Sequence, residues 1–346
     1  MTVTETREQV RAGGLLADGA SIVAMLSGGR DSVCLLDIAV ALCGADRVRA
    51  LHVNYGLRAD SDGDEAYCRE LCRGLGVEIE VVRAECDTAA TGNLHAWARE
   101  LRYGAAFDLA ERLEEPGDRQ GVSIARGAIL VASGHTATDQ VETILYRLAA
   151  SPGRRALLGM SSREGRLVRP LLALTRMETA AYCRERGLAW REDESNDSPA
   201  YARARVRNGL LPALEAVHPA ASANVLRTAA LLREETALLD ALVDSELVGA
   251  DRIAVDRLGV LAPALQRLIV IRLAEDAAST YVPQAGERVA EILALGARPG
   301  RAELHVGGLV SAVVEGGELR MVPIEPRPQH EPRPQHEPRP QHEPRE

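Results

Sequence analysis

The amino-acid sequence predicts an α/β protein in which a parallel, twisted sheet carries helices on both faces and is followed by a smaller, mainly helical domain. Two observations carry this prediction. Short apolar, β-like runs alternate with longer helix-like patterns in the first half of the chain, and helical patterns dominate from about residue 213. Alternating strands and helices form parallel sheets because each helix returns the chain to the end of the sheet where the next strand starts.

Each element of the predicted sheet follows from a local pattern. The β-like runs and the helix-like patterns after them lie at residues 21–26 and 32–43, 47–53 and 61–74, 77–83 and 95–114, and 128–132 and 137–149. Tight connections reading SGG, NYG and SGH follow the first, second and fourth runs. Open α/β sheets bind ligands outside the carboxyl ends of their strands, so we expect the functional site at these three connections.

The second domain and the tail differ in composition from the sheet region. Apolar residues recur three and four positions apart after residue 213, and a segment near residues 302–322 has short β-like runs separated by glycine pairs, which is typical of a hairpin. Residues 325–346 repeat EPRPQH three times, and such frequent proline prevents regular structure. We therefore predict domains at 1–212 and 213–324, and a disordered tail at 325–346.

Composition excludes several classes of chemistry. The 346 residues carry a net charge of -9, and all 41 basic residues are arginine, so no protein lysine is present to form a Schiff base or to complete a Walker loop. The six cysteines form no CxxC pair, which favours reduced core residues. No run of about 18 apolar residues exists for a membrane span. We expect a cytoplasmic protein without membrane contact, and the sequence is compatible with a homodimer.

The segment SGGRDS at residues 27–32 has the features of a phosphate-binding loop. It lies between a strand and a helix, where unpaired backbone N–H groups converge, and its two glycines allow a close approach of the ligand. Asp31 would repel a polyphosphate unless a divalent cation lay between them, so we interpret it as a Mg²⁺ ligand. The alternative for a single aspartate here is an ordinary helix N-cap.

Two further groups of residues carry candidate chemistry. Asp139 and Glu142 share one helix face after the fourth strand, so Asp139 is a second candidate Mg²⁺ ligand, with His135 beside it to orient or contact a nucleotide. A solvent-facing acidic helix is the alternative. Residues 151–207 hold twelve arginines against seven acids, and on charge alone this stretch suits nucleic-acid binding and a solvated, salt-bridged face equally well. Within it, the two-residue spacing of the arginines in ARARVR favours contact with phosphate or adenylate charge, with ordinary surface arginines as the alternative.

The loop and five further segments resemble one enzyme family. SGGRDS resembles the pyrophosphate loop, or PP-loop, of the N-type ATP pyrophosphatases, which cleave ATP between the α and β phosphates to adenylate a carbonyl oxygen. The set as a whole resembles the tRNA(Ile)-lysidine synthetases over roughly residues 20–217. The further segments, in chain order, are HVNYGLR (52–58), WARELRYGAAFDLA (97–110), GHTATDQVETILYRL (134–148), VRPLL (168–172) and REDESNDSPAYARARVRNGLLPAL (191–214).

The resemblance implies a fold, an activity and a set of site residues. The fold is the adenine nucleotide alpha hydrolase-like fold, the cofactors are ATP and Mg²⁺, and the reaction joins free L-lysine to C2 of the wobble cytidine of tRNA(Ile) with a CAU anticodon. Implied catalytic residues are Asp31, Asp139 and Arg205. The residues implied to bind ATP are Ser27, Gly28, Gly29, Arg30, Asp31, Ser32 and His135. Those implied to contact tRNA or substrate are Arg58, Glu142, Asp193, Asn196, Arg203 and Arg207.

The sequence departs from the family pattern at two positions. It reads AASPG at residues 149–153, where the family commonly has an Arg-Gly-Ser-Gly loop, and Thr138 stands where an acid is frequent. These differences leave a catalytically weakened tRNA-binding relative open as one alternative. A tRNA thiolation enzyme of the same fold is the other alternative. It would need a reactive cysteine or a cluster-binding set of cysteines, for which the sequence has no CxxC motif.

Overall fold

The computed structural model describes residues 1–17, 19–57, 60–84, 94–114, 128–151, 153–192 and 201–324. The chain divides into two compact units, Met1–Arg233 and Glu234–Glu346. The boundary lies within a helix, about twenty residues after the position predicted for a domain boundary. The predicted tail at 325–346 lies outside the described residues and stays a prediction. Within the described ranges, no helix is long and apolar enough to span a membrane.

The first unit is an α/β layer structure with a six-stranded sheet. The elements of this unit, in chain order, are α1 (Val3–Ala12), β1 (Ile22–Met25), α2 (Arg30–Cys43), β2 (Val48–Asn54), α3 (Ser61–Leu75), β3 (Glu78–Arg83), α4 (Leu94–Glu114), β4 (Leu130–Ala132), α5 (Ala137–Ala150), α6 (Arg154–Leu157), β5 (Arg163–Glu164), β6 (Leu167–Val168), α7 (Arg176–Glu185), α8 (Ala202–Arg205), a π-helical turn (Val206–Leu210) and α9 (Leu211–Val217). The strand order of the sheet is β3-β2-β1-β4-β6-β5, with parallel pairing throughout except for the edge strand β5.

Both faces of this sheet are buried, which explains why its strands read as continuous apolar runs. Alternate residues of β1 enter different cores: Ile22 and Ala24 pack with α2, α3 and α7, whereas Val23 and Met25 pack with α4. All four of these side chains are at least nine-tenths buried. The predicted class is confirmed, because a parallel sheet covered on both faces is the arrangement that alternating strands and helices indicate. The short hairpin of β5 and β6 was not predicted.

The second unit combines helices with a small antiparallel sheet. The elements that follow helix α10 (Ala221–Leu247) are β7 (Arg252–Ala254), α11 (Val255–Val260), α12 (Pro263–Ala278), a 3₁₀ segment (Pro283–Arg288), α13 (Val289–Leu295), β8 (Ala302–Gly307), β9 (Val310–Glu315) and β10 (Glu318–Pro323). The sheet has the order β7-β10-β9-β8, and the segment predicted as a hairpin forms its three-stranded meander, β8 to β10.

A buried ionic cluster around Asp37 fastens α1 and α7 to α2. The Asp37 carboxylate is only 2% exposed and accepts hydrogen bonds from Arg7 at 3.0 Å, from both Nε and Nη2 of Arg186 at 3.1 Å, and from the Tyr182 hydroxyl at 2.5 Å. Burial alone would raise the pKa of Asp37, but Arg186, Tyr182 and Arg7 together hold it below its ordinary value of 3.8. The cluster therefore stabilises the fold only while Asp37 is ionised.

Replacing Asp37 with Asn should lower the free energy of unfolding of the first unit by roughly 2 to 4 kcal/mol, because two cations lose their buried partner while retaining some solvent contact. The lowered pKa sets the pH dependence. The stabilisation is complete above the unfolded-state pKa and is lost as the pH falls through the folded-state pKa, so the difference between wild type and variant should shrink below about pH 4. Urea unfolding at pH 7 and pH 3 measures both effects.

The matched control is Glu70→Gln, which breaks the pair of Glu70 with Arg73, in which both side chains are 71% exposed. That change should cost less than about 0.5 kcal/mol. Equal urea midpoints for Asp37→Asn and Glu70→Gln would contradict a structural role for the buried cluster.

Candidate active site at the carboxyl edge of the sheet

The loop between β1 and α2 is closed by hydrogen bonds between its own serines. The Ser27 N–H donates to Ser32 Oγ at 3.1 Å, and Ser32 Oγ donates to the carbonyl of Gly29 at 2.7 Å. Gly28 has a φ of 84°, a left-handed conformation that favours glycine, and Gly29 occupies the N-cap position of α2. The loop thus wraps the N-terminus of α2, where unpaired N–H groups and the helix dipole attract anions.

The turn after β4 packs directly against this loop. A Cβ atom placed on Gly134 would lie 2.9 Å from the carbonyl oxygen of Asp31, closer than real Cβ contacts, and 3.1 Å from the amide nitrogen of Ser32, tighter than most of them. Only glycine at position 134 therefore permits the two backbones to touch. This contact confirms the expectation that connections after different strands meet at one edge of the sheet.

Asp31 is held from the side of α7. Its Oδ1 accepts hydrogen bonds from the Thr179 hydroxyl at 2.6 Å and from Arg30 Nε at 3.1 Å, and its Oδ2 lies 3.7 Å from Arg176 Nε. The carboxylate keeps 17% of its surface exposed. Thr179 and Arg176 were missed by the sequence reasoning because they lie about 145 residues away from Asp31 along the chain. The only sequence signal for them is their place just after the VRPLL segment.

Asp139 has a structural role at the start of α5. Its carboxylate accepts hydrogen bonds from the N–H and the hydroxyl of Thr136, both at 2.8 Å, and so completes a capping box. Thr138, the residue that departs from the family pattern, accepts a hydrogen bond from the Arg176 N–H at 3.2 Å. The first turns of α5 and α7 are therefore joined directly.

The two acids are of the right chemical type for Mg²⁺, since carboxylate oxygens are its preferred protein ligands and it usually retains several waters. Among the described residues, no group of three or more histidine, cysteine or acidic side chains forms a metal cluster. A Mg²⁺ ion held by Asp31 and Asp139 would thus take its remaining ligands from water and phosphate, as Mg²⁺ commonly does with nucleotides. The two-acid site stays a proposal.

His135 is a half-buried residue held in a neutral form. Its Nδ1 lies 2.8 Å from the Ser133 hydroxyl. Burial lowers the pKa of His135 to about 4; Asp139 opposes this shift, and three nearby arginines add to it, Arg169, Arg102 and Arg99. At neutral pH the ring is therefore an uncharged hydrogen-bonding group, suited to contacting a nucleotide but not to neutralising a phosphate.

Two predicted substrate contacts bind each other. Arg207 donates two hydrogen bonds to Glu142, at 2.6 and 2.9 Å, and Glu142 is almost fully buried. Such a forked pair is strong and directional. Arg207 lies in the π-helical turn, in which the chain needs an extra residue per turn, and that local widening was not predictable from the ARARVR spacing.

The other predicted contacts divide into exposed and undescribed residues. Arg203 and Arg205 lie on the short helix α8, and both are exposed. Arg58, Asp193 and Asn196 lie outside the described residues, so their roles stay predictions. The chain just before residues 193–200 contacts the loop between β1 and α2, because the Arg191 N–H donates to the carbonyl of Gly28 at 2.9 Å.

The turn after β2 is shaped by Asn54. Its amide nitrogen donates to Asp62 and Glu65 at 3.0 Å, and its Oδ1 accepts from the Gly56 N–H at 3.0 Å. Arg83, Asn54 and Arg69 bind the Glu65 carboxylate and lower its pKa to about 2, although burial opposes the shift. At neutral pH the Glu65 carboxylate is therefore ionised and holds the Asn54 side chain, which explains the asparagine of the NYG motif.

Together, the loop, the sheet topology and the acids define the class of protein. Residues 4–214 match the PP-loop domain family, and the chain belongs to that family.

Among its curated relatives, the chain is similar to proteins named tRNA(Ile)-lysidine synthase. It is 36% identical over 231 residues to that of Pseudomonas syringae pv. tomato, covering 65% of this chain and 48% of the relative. It is 35% identical over 318 residues to that of Thermus thermophilus, covering 90% of this chain and 59% of the relative. The chain thus spans about half to three fifths of the length of these relatives.

A solved structure shares the fold. The U34-tRNA thiolase NcsA from Methanococcus maripaludis, with its [4Fe-4S] cluster, superposes with a TM-score of 0.53, covering 67% of this chain and 78% of that chain. The identity is 19%, so this likeness supports the adenine nucleotide alpha hydrolase-like fold and nothing beyond it.

Replacing Gly134 with Ala should weaken ATP binding by about tenfold or more, because the added Cβ pushes on the backbone of Asp31 and Ser32 and so displaces the loop. The control is Gly74→Ala on α3, where an added Cβ meets no atom within 4 Å. That change should leave ATP binding intact and raise helix stability slightly. Isothermal titration with ATP and Mg²⁺ measures both; unchanged affinity in Gly134→Ala would refute the backbone contact as a determinant of the loop.

Proposed function

We propose that the chain catalyses ATP-dependent ligation of free L-lysine to C2 of the wobble cytidine of tRNA(Ile) with a CAU anticodon, forming lysidine and releasing AMP and pyrophosphate. The observation that carries the proposal is the PP-loop packed against the turn after β4, with Asp31 beside it and the arginine-bearing α8 in the same unit. The names of the relatives support this choice of substrates. Such a ligase, which forms a carbon–nitrogen bond, acts where tRNA is modified, in the cytoplasm.

The PP-loop residues would bind the phosphates of ATP. Backbone N–H groups at the N-terminus of α2 and the hydroxyls of Ser27 and Ser32 are donors suited to the β and γ phosphates. When bound, Mg²⁺ supplies charge neutralisation between the phosphates and the two carboxylates, Asp31 and Asp139. Thr179 and Arg30 keep the Asp31 carboxylate in a fixed orientation. The neutral His135 is available as a hydrogen-bonding group for the nucleotide.

The reaction has two steps. In the first, the C2 carbonyl oxygen of the cytidine forms a bond to the α phosphorus, and the bond from that phosphorus to the bridging oxygen breaks, so pyrophosphate leaves with the electron pair. In the second, an amine of lysine attacks C2, AMP leaves with the former carbonyl oxygen, and the amine gives up its proton to the medium. Arg205 is the residue we assign to the negative charge that develops on the phosphate. Arg203 would hold tRNA phosphates.

The burial of the cysteine thiols does not favour the alternative function, a tRNA thiolation enzyme of the same fold. Cys34, Cys68 and Cys72 are buried. The Cys183 thiol and burial raise the pKa of Cys34, and burial raises the pKa values of Cys68 and Cys72 to about 12. A cysteine that attacks as a thiolate needs a lowered pKa and access to its reaction partner. The described cysteines of this group have neither property.

The two candidate Mg²⁺ ligands, Asp31 and Asp139, give the first test of this function. Asp31→Asn or Asp139→Asn should leave the protein folded and reduce Mg²⁺-dependent release of pyrophosphate below detection, since each change removes one charge from the shared cation site. Asp139→Asn should in addition cost about 1 kcal/mol of stability through its capping box. The exposed Asp108→Asn on α4 is the control. Pyrophosphate release at the wild-type rate from either variant would exclude the two-acid site.

Arg205 gives the second test. Arg205→Ala should slow transfer of labelled lysine to tRNA(Ile) by on the order of a hundredfold, and Arg205→Lys should recover only part of the rate because an ammonium lacks the planar, two-pronged geometry. Arg227→Ala, an exposed arginine on α10, is the control and should retain the rate. Normal single-turnover transfer by Arg205→Ala would remove its assigned role.

Arg203 and Arg207 should behave differently from Arg205 in the same assay. Arg203→Ala should weaken tRNA binding and flatten its salt dependence while the chemical step is kept. Arg207→Ala leaves the buried Glu142 carboxylate without its partner and should therefore lower stability by several kcal/mol.

A further inference from the structure

His52 is the first residue of the HVNYGLR segment, and it has no role in the function proposed so far. It lies on β2, and only 4% of its surface is exposed. The neighbouring residues of β2 alternate between two cores, since Val48 and Ala50 pack with α2 whereas Leu51 and Val53 pack with α4. His52 therefore lies on the face of the sheet that carries α2. A polar ring at such a buried position is costly unless its nitrogens have hydrogen-bond partners.

The partner of His52 is the residue that precedes the PP-loop. Leu26 follows β1 directly, and its N–H donates to the Leu51 carbonyl at 2.8 Å, which prolongs the pairing of β1 with β2 by one residue. The Leu26 carbonyl lies 2.9 Å from His52 Nδ1. Because a carbonyl oxygen only accepts, Nδ1 carries the proton and donates in this bond. A side chain of β2 thus holds the backbone of the neighbouring strand at the point where the loop begins.

The bond from His52 is the first in a chain of hydrogen bonds that ends at the N-terminus of α2. The peptide unit between Leu26 and Ser27 is held at both ends, because His52 binds its carbonyl and Ser32 Oγ accepts from its N–H at 3.1 Å. The Ser32 hydroxyl donates in turn to the Gly29 carbonyl at 2.7 Å. Such chains strengthen each of their bonds. The peptide plane that His52 fixes therefore determines how the two ends of the PP-loop are tied together.

The contact at Leu26 depends on a side chain, unlike the contact in the middle of the loop. Arg191 binds the Gly28 carbonyl through its backbone N–H, which every residue except proline supplies. His52 uses its ring, and within the described ranges the other ring nitrogen, Nε2, is buried without a hydrogen-bond partner. A half-satisfied ring in a core lowers stability, and such exceptions are found at functional sites. This combination indicates that His52 serves the loop rather than the stability of the sheet.

We propose that His52 is a positioning residue for the PP-loop. It fixes the peptide plane between Leu26 and Ser27 and so holds the N–H groups of the loop in place for the β and γ phosphates of ATP. A loop that is already ordered loses less conformational freedom when it binds phosphate, so its affinity is higher. His52 acts through the backbone and touches no substrate atom. The inference rests on the proposed function for the identity of the nucleotide.

The test compares the binding of ATP with that of AMP, which lacks the β and γ phosphates. Calorimetry with the full chain and Mg²⁺ should show that the wild type binds ATP more tightly than AMP. His52→Leu has no donor and should weaken ATP about tenfold, the worth of one hydrogen bond, while AMP changes less than about twofold. His52→Asn should restore most of the ATP affinity, because its amide nitrogen takes the place of Nδ1. His52→Gln, whose amide nitrogen takes the place of Nε2, should behave like His52→Leu.

The matched control is Val53→Ala, because Val53 is the next residue of β2 and is buried in the core on the other face of the sheet. It should lower the urea midpoint and leave the ratio of ATP to AMP affinity unchanged.

Three outcomes would overturn the role of His52. They are equal affinities of the wild type for ATP and AMP, an unchanged ratio in His52→Leu, and equal ratios in His52→Asn and His52→Gln. If His52→Leu does not fold, the comparison of His52→Asn with His52→Gln decides the role. Transfer of labelled lysine by the wild type is measured in parallel. Its absence would refute the proposed function, whereas the ratio of ATP to AMP affinity alone decides the role of His52.

Discussion

The parallel pairing of β1 with both β2 and β4 is the constraint on which the site depends. Because all three strands run in the same direction, the loops that follow them leave the sheet side by side, and Gly134 can touch the backbone of Asp31. The chemistry sits on these loops, while the strands are buried on both faces and carry the stability. Substitutions in the connections can therefore change function without disturbing the core, as is usual for open α/β sheets.

Helix α7 contributes to the site from outside this central set. It is anchored to α2 by Asp37, which binds Tyr182 and Arg186, and its first turn supplies Thr179 and Arg176 to Asp31. Helix α7 therefore contacts both the buried ionic cluster at Asp37 and the candidate metal ligand Asp31, and it helps to orient the Asp31 carboxylate. In a chain without lysine, guanidinium groups carry all of these cationic roles. Their planar fork suits carboxylates that must accept more than one hydrogen bond.

The sequence was sufficient to predict the sheet, because strand and helix periodicities are local properties, and it was sufficient to predict the loop, because SGGRDS needs its glycines and serines for its own hydrogen bonds. It did not predict the pairing of Glu142 with Arg207 or of Asp31 with Thr179. Those contacts join residues 65 and 148 positions apart, and no local pattern encodes a partner at that distance. The π-helical turn at 206–210 also escaped prediction, since tertiary packing rather than local preference determines such a widening.

The capping box of α5 constrains the carboxylate of Asp139. Asp139 closes the first turn, and Glu142, one turn further along, is fastened to Arg207. A carboxylate that completes a helix cap cannot rotate toward another ligand without releasing the N–H group that it holds. If a cation bound the Oδ2 atom of Asp139, its binding would be thermodynamically linked to the first turn of α5, and amide hydrogen exchange of that turn would measure the link.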